Sequence, residues 1–298
     1  MALVYRTARV DELKHAQALI VSSINDLTER HGLGPMASVR PPHFQAFSLR
    51  DDPDGFWIAE EGDQILGCAF SWVCDDFWFL AELFVAPNQQ GRGIGNELLH
   101  RTLQHAEKHG AKTKALITFA FNRVSQALYI RHGLFPRALV YFLSAASESL
   151  RPHLSAEPLR SVPIEASDVK NLERIDAKAL GFSRGKHHRF LIGDSTLKGL
   201  KLYDGTDCIG YVYISAGGHI GPMAVTRRTA LGAAFGTALR LAAYNGALQV
   251  STFVPGTAEA ALGAAVQHGM RITFPMLLMS SRDFGDWACY LPRNPGYM

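Results

Sequence analysis

The chain lacks the features that usually announce a metal centre or a disulfide scaffold. Its four cysteines, Cys68, Cys74, Cys208 and Cys289, have no CxxC spacing, and Cys68 and Cys74 lie in apolar, strand-like runs. They read as reduced core residues. The twelve histidines contain no HExxH and no Cys/His cluster; His187-His188 and His105/His109 are pairs at most, so no metal site is expected. Long hydrophobic runs are missing as well. No stretch approaches the roughly 20 apolar residues of a membrane helix. Met1 to Arg9 offers only a short apolar start before Arg6, too little for a secretory segment. The expectation is a reducing, cytoplasmic setting without a membrane partner. Charge of one sign is also scarce: a net +3 over 298 residues does not argue for nucleic acid, although a local basic pocket for an anionic ligand stays open.

What is present is an ordinary globular balance, 47% hydrophobic and 19% charged, in a chain about twice the usual single-domain length. Two domains are therefore expected, and self-comparison supports them. Each half opens with an extended segment and an Asp placed to cap a helix. Asp11 precedes Leu13, Ala16, Leu19, Ile20 and Ile24; Asp168 precedes Leu172, Ile175 and Ala179. Each continues with a hairpin, Trp57–Ala59 to Ile65–Trp72 in the first and Lys201–Tyr203 to Ile209–Ser215 in the second, with Gly67 and Gly210 in matching places. Strand, helix, strand and helix follow in both. His132-Gly133-Leu134 and His268-Gly269-Met270 end the last helix of each, glycine being the usual left-handed stop. Ser147 to Pro163, with Pro152, Pro158 and Pro163, reads as a connector. The predicted organisation is a domain over 1–146, a linker over 147–160 and a second domain over 161–298.

The sharpest local pattern is the apolar strand Phe77 to Val85, the turn Ala86-Pro87-Asn88-Gln89, and then Gln90-Gly91-Arg92-Gly93-Ile94-Gly95-Asn96 opening a helix from Glu97 to His109. Strand, glycine-rich turn and helix make an anion-binding arrangement, in which converging amides and the positive end of the helix dipole receive a phosphate. Arg92 adds a charge. A dinucleotide fingerprint starting at Gly91 needs glycine where Asn96 stands, and a nucleotide-triphosphatase loop needs Gly-Lys-Ser/Thr, which is absent.

Gln90, Gly93 and Gly95 match Gln/Arg-x-x-Gly-x-Gly/Ala after a strand, and this resembles the pyrophosphate-binding loop of the GNAT (GCN5-related) N-acetyltransferase superfamily. Asn122, Ala127, Tyr129, Gly133 and Phe135 resemble its second motif, an asparagine before a helix that carries a tyrosine and ends on glycine and an aromatic. The resemblance covers about residues 4 to 143 well and 161–298 as a weaker copy. It implies an α/β (α+β) fold with two GNAT-like domains in tandem, each a splayed mixed β-sheet flanked by helices. It further implies acetyl-CoA as cosubstrate, its pantetheine pairing along Leu83, Phe84 and Val85 and its pyrophosphate held by Gln90, Gly91, Arg92, Gly93, Ile94, Gly95 and Asn96. Asn122 becomes a cofactor-binding amide, a strand N–H near Val85 the oxyanion donor, and Tyr129 the acid that protonates the leaving thiolate. The alternative for Tyr129 is a packing aromatic on its helix.

Acetyl transfer to an amine also needs a base, because an alkylammonium with a pKa near 10.4 is almost wholly protonated at pH 7. Glu82 is the candidate, a carboxylate in an otherwise apolar strand. Such a residue is working, paired with an arginine, or facing solvent at a splay. Asp75 and Asp76 read as turn residues. In the second half, Val225 to Gly232 has one glycine and no phosphate loop, and counting back from the His-Gly step sets Ala265 against Tyr129 and Ala258 against Asn122. That copy is expected to be structural or to enclose substrate. Arg184-Gly185-Lys186-His187-His188-Arg189 reads as a solvated loop, or as a patch for an acidic acceptor. The reading is an N-acyltransferase acting on a small-molecule amine, as monomer or homodimer. The alternatives are a non-catalytic acyl-CoA-binding sensor and a protein acetyltransferase.

Overall fold

The computed structural model describes residues 2–154 and 159–298, and its contacts divide them into two compact units. The first comprises Met1–Ile117, Phe121–Phe135 and Ser280–Arg282; the second comprises Thr118–Ala120, Pro136–Met279 and Asp283–Met298. Among the described residues no helix is long and apolar enough to cross a membrane.

In the first unit, β1 (Leu3–Thr7) precedes α1 (Leu13–Arg30) and α2 (His43–Asp51). Then come β2 (Phe56–Glu61), β3 (Gln64–Cys74), β4 (Phe77–Val85), α3 (Ile94–Lys108), β5 (Thr113–Phe119, as far as Ile117) and α4 (Arg123–Arg131). The strands lie in chain order, β1 to β4 antiparallel and β5 parallel to β4, so α3 is the crossover that a parallel pair requires. Asp75 and Asp76 turn β3 into β4, with Asp75 at φ +51°, a left-handed conformation that Asp tolerates. The cap before α1 differs from expectation. Glu12, not Asp11, accepts the amide of Arg9 at 2.8 Å, and Glu12 also pairs with Arg6. Helix α3 starts three residues before Glu97, at Ile94.

The alternation of β4 assigns its faces. Val85 packs with Ile94 and Leu98 of α3 and with Leu66 and Ala69 of β3, with Leu83 against the same cluster. Glu82 and Phe84 point the opposite way. On that side Gln45 of α2 reaches Glu82, and Phe44 meets Phe70 edge-on at 5.6 Å. Cys68 and Cys74 are buried and not joined in a disulfide, as their setting in the sequence implies.

The second unit takes in β6 (Phe135–Ala146, from Pro136 on), α5 (Ser147–Leu150), β7 (Arg160–Pro163), α6 (Val169–Leu180), α7 (Gly185–Ile192), β8 (Leu197–Asp204) and β9 (Asp207–Ser215). It continues with β10 (His219–Val225), α8 (Leu231–Ala243), β11 (Gln249–Pro255), α9 (Glu259–Gln267), β12 (Arg271–Ser280) and β13 (Tyr290–Leu291). Its strand order is β12-β6-β11-β10-β9-β8-β7, and β13 pairs with β10. The segment expected to finish the first domain therefore belongs to the second unit's sheet: β6 is antiparallel to β11 from Gln249↔Ala146 to Pro255↔Val140. Of the expected linker, 147–154 forms α5 and a 3-10 turn, Arg160 begins β7, and 155–158, including Pro158, lie outside the described residues.

The stretch from Arg184 to Arg189 is not a solvated loop. Most of it is α7, and Arg184, His187 and His188 are all about 2% exposed or less. Arg184 Nε donates to Asp176 at 2.9 Å, His188 Nε2 lies 3.0 Å from the same carboxylate, and Tyr211 donates to it as well. Burial works against the charge on Asp176, but Arg184 and His188 prevail and hold it below the usual carboxylate range.

Candidate active site

After Val85 the chain leaves the sheet with Ala86 donating its N–H to Leu66 at 2.8 Å. A 3-10 turn over Pro87–Gln89 follows, then Gly91 at φ +84° and Gly93 at φ +83°. A Cβ at either glycine would meet nothing within 4 Å. The requirement is conformational: an L side chain in this region costs roughly 1–2 kcal/mol. Gly93 caps α3, and its carbonyl accepts the amides of Asn96 and Glu97 at 3.0 and 3.2 Å. The amides of Ile94 and Gly95 have no acceptor among the described residues, which leaves them, at the positive end of a 15-residue helix, free for an anion. Two expected anion ligands point elsewhere. Gln90 Nε2 donates to Val85 O at 3.2 Å, and Arg92 pairs with Glu61 at 3.0 Å and with Gln89. The cradle is made of backbone.

Beside it the sheet splays. Pairing of β4 with β5 runs from Phe77↔Thr113 to Leu80↔Leu116 and stops. At that point β4 carries an irregularity against β3, where Phe70 faces Glu82 and Ser71 faces Leu80, and such a bulge bends the strand. Because Ala86 hydrogen-bonds toward β3, the alternation of an antiparallel ladder turns the backbone groups of Leu83 and Val85 toward the other edge. Among the described residues no strand pairs with that edge beyond Leu80. Val85 O accepts Ser23 Oγ there at 3.2 Å.

Three elements meet at Gly95. A Cβ placed on it would lie 3.6 Å from Leu83 Cδ2 and Val85 Cγ2 and 4.0 Å from Leu128 of α4. The far end of α4 is tied to the same helix turn, since His132 Nε2 lies 3.0 Å from Asn96 Oδ1. Tyr129 is 5% exposed in α4, and burial raises its phenol well above the ordinary value, with the Ser125 hydroxyl acting the other way. Its proton is thus retained across the working pH range. Asn122 caps α4: its Oδ1 accepts the Ser125 amide at 3.2 Å. Glu82 is half-buried and has no arginine partner among the described residues. Burial pushes its carboxyl up to about 8, opposed by the Gln45 amide, which donates at 3.3 and 3.4 Å.

Residues 23–134 match the acetyltransferase (GNAT) family model. Over that segment the chain is similar to the acetyltransferase (GNAT) family. An uncharacterised N-acetyltransferase of Methanocaldococcus jannaschii is 27% identical over 31% of this chain and 44% of its own. The chain spans less than half the length of the curated relatives it matches. Over almost the whole chain the fold is similar to that of a Pyrococcus horikoshii protein assigned as an acetyltransferase, with TM-score 0.78, 18% identity, and coverage of 99% of this chain and 96% of that one. It is similar also to a tandem GNAT protein from the clavulanic acid biosynthesis pathway, with TM-score 0.62, 16% identity, and coverage of 94% and 98%. The chain thus has the tandem GNAT fold.

The second GNAT-like copy repeats the scaffold without the groups. Leu134 N donates to Tyr129 O at 3.0 Å and Met270 N to Ala265 O at 2.9 Å, so the two helix ends are equivalent, with alanine at the tyrosine's place. Ala258 begins α9 as Asn122 begins α4, without a side-chain cap. Pairing of β10 with β11 is confined to His219↔Ser251 and Ile220↔Thr252, and β13 then pairs with β10 at Met223 and Ala224. In the second unit the chain's own β13 thus occupies the edge whose equivalent on β4 has no strand partner among the described residues.

Gln17, Ser23 and Gln45 are site residues that the sequence did not single out. Gln45, which stands between Phe44 and Phe47 in the sequence, is buried, and its Nε2 donates to Gln17 Oε1 at 2.7 Å. A polar residue between two phenylalanines was the available signal.

Proposed function

We propose that the GNAT domain is an acetyl-CoA-dependent N-acyltransferase, moving an acetyl group to the primary amine of a small molecule by direct attack in a ternary complex. The observation that carries this reading is the half-buried Glu82 on the splayed strand, next to a backbone edge without a strand partner among the described residues and the backbone cradle of α3. Acetyl-CoA would lay its pantetheine along Leu83, Phe84 and Val85 and its pyrophosphate on the amides that open α3.

In its ionised form, Glu82 takes a proton from the bound ammonium and frees the nitrogen lone pair. The nitrogen attacks the thioester carbon; the N–C bond forms as the C=O pair moves to oxygen, where the Val85 N–H receives it. When the carbonyl re-forms, the C–S bond breaks with its pair on sulfur. The Tyr129 phenol supplies a proton to that thiolate; the excess proton on the amide nitrogen leaves to water, and solvent exchange returns a proton to Tyr129 and takes the one held by Glu82, so that one proton is released per turnover.

A sensor that only binds acyl-CoA has no use for the carboxyl of Glu82. Acetyl-CoA turnover, followed as free thiol release against a panel of primary amines, tests the reading. Turnover that depends on Glu82 supports it; binding without turnover on any amine favours the sensor.

A further inference from the structure

The GNAT domain holds Glu82 with a side chain from outside the loop and strand that form its cofactor cradle. The geometry points to Gln45 as a positioning residue that orients the Glu82 carboxylate for proton uptake, with Gln17 fixing the amide in turn. This rests on the role proposed for Glu82.

Gln45 is 7% exposed and its Nε2 carries two hydrogens. One is committed to Gln17 Oε1 at 2.7 Å. The other can only point to Glu82, whose oxygens lie 3.3 and 3.4 Å away. With its oxygen directed away, the amide offers the carboxyl a donor and so favours the form that accepts, the carboxylate. Were the amide free to flip, it would equally stabilise the protonated acid. Gln17 opposes that flip as long as its own oxygen faces Gln45, because a flipped Gln45 would then set two carbonyl oxygens against each other.

Among the described residues no charged group acts on Glu82. On β3 the titratable group is the Cys68 thiol, which burial and Glu82 both raise well above its usual value. Phe70 is opposite on the same strand, α1 presents Gln17 and α2 presents Gln45. Among the described residues no charged side chain pairs with Glu82. Gln45 is therefore the group on hand to oppose burial.

The test is a pH titration of protein labelled at the glutamate δ-carbon, with Glu82 assigned as the carbon signal lost in Glu82→Gln. The parent midpoint is expected near 8. Gln45→Met keeps the length and removes the donor, and should raise the midpoint by about half to one unit. Gln17→Met, which releases the amide, should raise it less, and serves alone if Gln45→Met does not fold. An unmoved midpoint in the folded variants overturns the role of Gln45. Thiol release from acetyl-CoA with benzylamine, tryptamine and spermidine, compared between parent and Glu82→Gln, tests the underlying reading separately. Undiminished turnover there removes Glu82 as the base, whatever the titration gives.

Discussion

Pro222 occupies in β10 the place that Glu82 occupies in β4: each lies three residues before the valine, Val225 or Val85, that pairs with the repeat glycine, Gly210 or Gly67. The second copy thus has a ring without a donor or a charge where the first has a carboxylate. Together with Ala258, Ala265 and the pairing of β13 on β10, this leaves it neither base, acid nor open edge. The two repeats differ in chemistry while sharing a backbone.

One acetyl-CoA should therefore bind per chain. Calorimetric titration is expected to give a stoichiometry near one, and Gly93→Glu should weaken that single binding event, with no second site of parent affinity left. A stoichiometry of two would mean that β13 yields to the cofactor.

Gly93 separates strain from charge. Gly93→Ala puts a Cβ at φ +83° with open space around it, so the cost is conformational, roughly 1–2 kcal/mol of stability. Gly93→Glu adds a carboxylate beside amides suited to an anion, and acetyl-CoA affinity should fall tenfold or more beyond the alanine variant. Equal affinities for the two would remove the loop from the cofactor site.

The glycine loop was legible in the sequence because its chemistry is local: two left-handed glycines and a helix start lie within four residues. The order of repeated elements was legible for the same reason. What escaped depended on distant partners. Arg184 to Arg189 looked like a solvated charge run, yet Asp176 and Tyr211 make its burial possible. Gln45 matters through Gln17 and Glu82, one 28 residues before it and the other 37 after. Three readings of Glu82 were open, and only the fold could exclude an arginine partner. β6 gave no hint in its own residues that its hydrogen bonds run to β11 in the second unit.

Asn122 is a helix cap in this structure, whatever it also gives a cofactor. Asn122→Ala should cost about 1 kcal/mol of stability through the lost bond to Ser125 N. Asn122→Asp keeps the acceptor and should restore that stability. If acetyl-CoA affinity recovers with it, the residue acts as a cap alone; affinity still reduced in the aspartate variant assigns its amide to the cofactor.

Tyr129→Phe removes a hydroxyl and keeps the buried ring. Acetyl-CoA affinity should stay within a few-fold while turnover falls toward the lower end of the roughly 100- to 10,000-fold range of general acid catalysis, because a thiolate is a tolerable leaving group. Turnover within three-fold of the parent would make Tyr129 a packing residue and leave the chemistry to Glu82 and the Val85 amide.

Glu82 sets the pH dependence in two measurements that must agree. With its carboxyl at about 8, roughly one molecule in ten carries the base form at pH 7, so kcat/KM should climb through pH 8 before any limit set by the amine itself. Stability should run the other way. A carboxyl raised in the folded state above its ordinary value of 4.5 contributes fully below that value, and the contribution is lost as pH rises through about 8. Glu82→Gln stays neutral throughout. Its melting temperature should match the parent near pH 4 and exceed it above pH 8, while its turnover should be lower at every pH and lack the Glu82 limb. Both signs follow from one cause, the burial of an ionisable group on an apolar strand. If the variant melts with the parent at pH 9, the carboxylate is solvated there, and the limb in kcat/KM must then be assigned to the amine.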